Sequence, residues 1–237
     1  MSIFMGVAGW YQAWVKTVIR LMDSSEKARD FRDGMRFGTR NYYCEIFFGK
    51  GVGELSLKNI GYSPAKLTTL YSTYLNLEEL TKAKLKIQSH KPGDFTNVFM
   101  SFERNKKKRS TVGPCLIGLG IQLTPDRIPK VIVYNRAWEA SRRMAADFIF
   151  IDDIIMKHFK FSKYTVGLHS QWVYLSAKFS PILSIIPEFK PYWGADKQDP
   201  FYKIGNRILQ KYYKGNQVSK CGAEKQLIKF FKKSQGE

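Results

Sequence analysis

The chain has 237 residues, of which 44% are apolar and 15% aromatic. That is enough apolar material for a buried core, and it excludes a disordered composition. Lys and Arg number 39 against 20 Asp and Glu, a formal net charge of +19 that predicts an anionic partner: nucleic acid, nucleotide phosphate or an acidic surface.

The opening stretch, MSIFMGVAGWYQAWVKTVIRLMD, is apolar but interrupted by Lys16 and Arg20. No basic head precedes it, and no run approaches about 18 apolar residues, so it reads as neither a signal peptide nor a membrane span. Trp10, Trp14, Val18 and Leu21 stand at helical spacing and predict an amphipathic helix over 8–22. A charged turn, EKARDFRDGMRFGTRN, follows. Two β-like runs at 42–48 and 52–57 flank a GKG turn. Ser63-Pro64 supplies an N-cap and an N1 proline for a helix over 63–82. Strands are expected at 97–102, 115–123, 130–134 and 166–175, and a long central helix at 138–159 with Met144, Phe148, Ile151 and Ile155 as its buried stripe. NKKKR at 105–109 reads as a solvated loop. From about 181 the chain becomes basic and aromatic, ending in EKQLIKFFKKSQ, a candidate amphipathic helix. There is no internal repeat and no Gly/Ser linker, so the expectation is one α+β domain with a mixed sheet and the long helix packed on it.

The three cysteines, Cys44, Cys115 and Cys221, are far apart and include no CxxC pair. This argues against zinc and for a reducing, cytoplasmic setting, the cytoplasm of an infected host cell included. Cys44 and Cys221 read as inert. Cys115 stands directly behind Gly113-Pro114 at the mouth of an apolar strand. Either it is a small side chain starting a buried strand or it is a thiolate held by a rigid turn. A hairpin with Leu123 opposite Lys130 places Ile117 opposite Arg136 and Cys115 opposite Trp138, which brings Arg136 to the face of Cys115. A guanidinium there favours the thiolate and can grip a phosphate.

These residues carry a resemblance. GPC, an apolar strand, YNR, and then Asp147 eleven residues past Arg136 look like the thymidylate synthase family, most closely its deoxycytidylate hydroxymethylase, phage-type branch. The resemblance is concentrated at 110–160 and is weaker at 36–57 and 166–178. It implies a thymidylate-synthase-like fold, with Cys115 as nucleophile, Arg136 as phosphate ligand, Ser141 as an assisting hydroxyl and Asp147 as reader of the base. RFGTRNYYCEI implies a further phosphate arginine, Arg36 or Arg40. HSQWVY implies sugar contacts from His169 and Tyr174, and Glu78 or Glu79 is the counterpart of the family's catalytic glutamate, with Glu79 taken as the proton relay. The implied partners are a pyrimidine deoxynucleotide, the one-carbon donor 5,10-methylenetetrahydrofolate and a second copy of the chain, with Arg104 and Arg109 as candidates to complete the neighbour's phosphate site. The chain departs from the family where Leu116 replaces the usual His and Ala137-Trp138-Glu139 replaces Ser-x-Asp.

For Asp147 a structural reading stands beside the functional one: a helix salt bridge to Arg143, four residues earlier. A carboxylate accepts from an exocyclic amine, which favours cytosine over uracil. The other reading of the whole chain is a binding protein without chemistry, whose cations track the phosphates of DNA or RNA while the aromatic tail stacks on bases.

Overall fold

A computed structural model of the chain describes residues 3–23, 26–30, 34–49, 55–102, 115–125, 128–176, 183–184 and 186–192, together with Lys203, Arg207, Gln210 and Lys229. The 105–109 loop, Pro114, Arg104, Arg109, Cys221 and most of the basic tail lie outside these residues.

The elements are β1 (Ile3–Val7), α1 (Trp10–Asp23), β2 (Glu26–Asp30), β3 (Gly34–Gly49), α2 (Ala65–Tyr74), α3 (Leu77–Gln88), β4 (Thr96–Ser101), β5 (Leu116–Leu123), β6 (Lys130–Glu139), α4 (Arg143–Ile154) and β7 (Tyr164–Ser176). A π turn, Ile155–Phe159, extends α4 and ends at Lys160 in the left-handed region, with φ 57°. The seven strands form one mixed sheet in the order β1-β3-β7-β6-β5-β4, with β2 pairing outside this path on β3. β1–β3 and β6–β7 are parallel, and the other pairs are antiparallel. The α+β class and mixed sheet agree with expectation.

One face of the sheet is buried. Val131, Val133, Val166, Leu168, Cys44 and Ile46 are all fully buried in the same core as Trp10, Trp14, Phe148 and Ile151. The predicted stripe of Met144, Phe148, Ile151 and Ile155 is fully buried. Beneath it lies a polar knot. Trp10 Nε1 donates to Asp152 Oδ1 at 3.1 Å, and the Tyr164 hydroxyl donates to the same carboxylate. This ties α1, α4 and β7 together with their buried polar atoms satisfied. On the other face Phe99, Tyr134, Ile117 and His169 remain exposed.

Several boundaries differ from expectation. The charged stretch at 26–41 is a hairpin rather than a turn, with Glu26 opposite Gly38 and Asp30 opposite Gly34. β1 precedes the first helix, because its short apolar run pairs in parallel with residues 42–46. Of the expected 52–57 strand, residues 55–57 are not strand, and 52–54 are outside the described residues. The 63–82 helix is two helices, because Asn76 breaks the chain and caps α3 by accepting from the N–H groups of Glu78 and Glu79. Pro64, not Ser63, holds the N-cap position of α2, without a side-chain cap. Residues 138–139 belong to β6, so the central helix starts at Arg143.

The hairpin register also differs. Gln122, not Leu123, lies opposite Lys130, and the register shifts again between Leu116 and Gly118. Ile117 falls in that shift, Leu116 meets Asn135, and the Arg136 N–H donates to the Cys115 carbonyl at 2.7 Å. Cys115 therefore lies beside Arg136 rather than opposite Trp138. The interruption is not confined to β5. The β3–β7 ladder omits Asn41 against Gln171, and the β6–β7 ladder omits Arg136 against Gln171. Asn41 is left-handed, with φ 54°. Across this row the inward side changes parity, from Val131 and Val133 to Trp138 in β6 and from Val166 and Leu168 to Val173 and Leu175 in β7.

Candidate functional site: a thiol and a cationic cluster at the head of α4

Cys115 ends the loop into β5 and is half-buried. Arg136, in β6 and also half-buried, brings Nη2 to 3.9 Å from Cys115 Sγ. Cys44, the other thiol among the described residues, is fully buried, and that burial pushes it up to about 11.

β6 runs directly into α4, and Glu139 makes the join. Its buried carboxylate accepts from the N–H groups of Ser141 at 3.0 Å, Arg142 at 3.2 Å and Arg143 at 3.3 Å. It also accepts from the N–H of Ser176, at the end of β7, at 3.4 Å. A negative charge at a helix N-terminus satisfies donors that the helix leaves open and interacts favourably with its dipole. The anchored turn then presents two cations. Arg142 is fully buried, with its guanidinium 3.9 Å from the centroid of the Tyr62 ring, while Arg143 is exposed. The Arg143 guanidinium interacts electrostatically with Glu139, Tyr62, Tyr174 and Cys115.

Asp147 lies one turn into α4 and accepts from Trp138 Nε1 at 3.1 Å. Burial raises its carboxyl to about 6, against the opposing pull of Lys66, the Trp138 N–H and Arg143. Its main hydrogen bond is therefore to an indole, and the expected Arg143 partner acts only electrostatically. Lys66, from α2, has its Nζ 5.3 Å from the centroid of the Tyr62 ring. Burial lowers its ammonium; Asp147 opposes that shift, and Arg143 and Arg142 add to it.

The sequence-derived candidates divide accordingly. Cys115, Arg136, Asp147, Ser141 and Tyr174 all lie at this end of β6, β7 and α4. Ser141 is fully buried, and its Oγ finds no hydrogen-bond partner among the described residues. The Tyr174 carbonyl accepts from the Ala140 N–H at 2.7 Å, beside the Glu139 turn. His169 is placed elsewhere, on the open sheet face against Tyr134 and Tyr43. Glu79 sits in the first turn of α3, 3.9 Å from Lys82, and no contact among the described residues joins it to Cys115. Arg40 is exposed on β3 opposite Trp172. Arg36 pairs through its backbone with Ser176, and its side chain is outside the described residues.

Sequence reading passed over Lys66, Tyr62 and the anchoring role of Glu139. A signal was present for two arginines: Arg142-Arg143 at the N-terminus of a helix, where anions bind. Lys66 and Tyr62 carried none, because only the packing of α2 on α4 brings them in. The fold and site thus define an α+β chain with a thiol, a guanidinium cluster and a protonatable carboxylate gathered where one strand enters one helix. In sequence comparison the chain matches no family model and no curated protein.

Proposed function

We propose that the chain is a pyrimidine nucleotide C5 one-carbon transferase of the deoxycytidylate hydroxymethylase type, on a thymidylate-synthase-like fold. The observation that carries this reading is the 3.9 Å approach of Arg136 Nη2 to Cys115 Sγ. Around it stand a second arginine and a carboxylate that changes protonation near neutrality.

In this reading Arg136 and Arg143 hold the 5′-phosphate, with Arg36 or Arg40 a further ligand. The Cys115 thiolate adds to C6, and the electron pair of the C5–C6 double bond moves to C5. Methylenetetrahydrofolate, the donor that the resemblance implies, would supply C5 with an electrophilic one-carbon unit and leave as tetrahydrofolate, and the described residues assign it no pocket. Loss of the C5 proton, addition of water to the new carbon and elimination of the Cys115 thiolate would then restore the ring and free the hydroxymethyl product. Asp147 as a carboxylate accepts from the exocyclic amine of cytosine, and as a carboxylic acid it donates to ring N3. Burial raises that carboxyl, and Lys66 pulls against it.

The direct test is tritium release from C5-labelled deoxycytidylate and deoxyuridylate with methylenetetrahydrofolate. Release by the wild type and its loss in Cys115→Ala supports the reading; no release from either nucleotide refutes it. The net charge of +19 favours a second reading, a nucleic-acid-binding protein on the same fold. Binding to DNA or RNA with a steep salt slope, without tritium release, selects that reading.

A further inference from the structure

The sheet face turned away from the core carries rings where an open sheet face ordinarily carries polar side chains. They form one continuous row. Phe99 of β4 meets Tyr134 of β6 edge-on at 6.1 Å. Tyr134 stacks on His169 of β7 with centroids 5.6 Å apart and an interplanar angle of 24°, and His169 meets Tyr43 of β3 at 4.7 Å. The strand between β4 and β6 gives way to these rings. At Gly118 of β5 a Cβ would stand 2.5 Å from Phe99 Cζ, and at Gly120 one would lie 3.8 Å from Tyr134 Cε2. Phe99 and Tyr134 therefore reach each other across β5. The rings stay open to solvent: Phe99 is 54% exposed and Tyr134 38%, with Ile117 beside them at 42%. A depression of about 390 Å³ lies against Tyr43, Tyr134, His169 and Ile117. Its floor is paired internally, since the Ser170 hydroxyl donates to the Trp172 carbonyl at 2.9 Å and meets the Asn135 amide at 3.4 Å. What this surface offers a partner is the rings themselves.

Charge decides the partner. The lining of the depression contains no Asp or Glu. Glu45, two residues from Tyr43, is ion-paired with Lys130 at 3.5 Å. Beyond the rings stand cations: Arg136 in the interrupted row, and Arg40, exposed, opposite Trp172 one row further on. A second copy of the chain would bring its own +19 against this face, whereas a polyanion is drawn to it. Accessible rings bordered by cations, on a surface without enclosing walls, suit a single-stranded nucleic acid: unpaired bases stack, and phosphates follow the charge. A duplex keeps its bases stacked on one another and has none to give.

We infer that the open sheet face is a stacking platform for single-stranded nucleic acid. Bases lie on Phe99, Tyr134, His169 and Tyr43, and the phosphates run toward Arg40. The inference rests on the nucleic-acid reading above, whose base contacts it locates, and it makes no use of the Cys115 chemistry.

The test titrates the full-length chain with end-labelled single-stranded DNA and RNA of one mixed sequence, about 15 nucleotides long, and with the matching duplex. Fluorescence anisotropy is followed over a range of salt concentrations. Both single strands are expected to bind, and the duplex to bind about tenfold more weakly. Phe99→Leu and Tyr134→Leu keep an apolar side chain at an exposed position and remove the ring. Each is expected to weaken single-strand binding by about tenfold at every salt concentration, with the salt slope unchanged, because stacking releases no counterions. Arg40→Gln is expected instead to flatten that slope. If both Leu variants bind as the wild type does, the platform is overturned and the nucleic-acid reading stands. If neither strand binds the wild type, both fall. A duplex held as tightly as the single strands, or self-association that shields Phe99 and Tyr134, also overturns the platform.

Discussion

Arg136 and Cys115 are joined twice. The backbone of one donates to the backbone of the other at 2.7 Å, and the guanidinium reaches the sulfur at 3.9 Å. The first contact fixes the register locally, so the second does not depend on a long side chain finding its target by chance.

Thiol chemistry is therefore expected to be unequal. Cys115 reacts with iodoacetamide faster than Cys44, whose burial pushes it up to about 11. Arg136→Met, which removes the guanidinium 3.9 Å from the sulfur, is expected to slow the Cys115 reaction. Peptide mass mapping after timed alkylation reads both rates. Equal labelling of the two cysteines contradicts the assignment.

Asp147 gives a pH signature. Its folded-state value of about 6 lies above the ordinary carboxyl value of 3.8, so the native state holds this proton more tightly than the unfolded state. Stability from this group is present below pH 4, is lost as pH rises toward 6, and stays lost above that. Asp147→Asn should then raise stability at pH 7.5 by on the order of 2 kcal/mol and flatten the profile between pH 4 and 6. Urea melts across that range measure it. In activity, the same variant should move base preference toward uracil.

Lys66→Met removes a cation that pulls the Asp147 carboxyl down. The Asp147 titration should move upward by about one unit or less, with little change in fold, because the Lys66 stem is replaced by a side chain of similar length. Carbon-detected NMR of the Asp147 carboxyl follows this directly. An unmoved titration removes Lys66 from the site.

Glu139→Gln is expected to be costly despite its matching shape. One carboxylate oxygen faces the N–H groups of Ser141 and Ser176, and the other faces those of Arg142 and Arg143. An amide must turn its NH2 toward one of these pairs. The loss is about 2–3 kcal/mol of stability, and Arg142 and Arg143 lose their anchored backbone. Thermal melts read the first effect and nucleotide affinity the second.

Much of this organisation was legible in the residues. Trp10, Trp14, Val18 and Leu21 announced α1, and the Met144–Ile155 stripe announced α4, because helical periodicity is strong in long buried elements. The neighbourhood of Cys115 and Arg136 was legible too, though through a register that proved wrong by one residue and was shifted again at Ile117. A bulge leaves no clear mark in alternation, so the pairing could not be read past it. The 26–41 hairpin was hidden by its charge: EKARD has no apolar alternation, and pairing along β3 makes it a strand. Lys66 was invisible for a different reason. Its importance depends on which helix α2 packs against, and that is decided far away in sequence.

The interrupted row across β3, β7, β6 and β5 has a consequence for the site. On either side of it the ladders run on, but the inward-facing positions have changed parity. Cys115 and Arg136 stand at that changeover, so the approach of guanidinium to sulfur belongs to the one row where regular alternation does not decide which way a side chain faces.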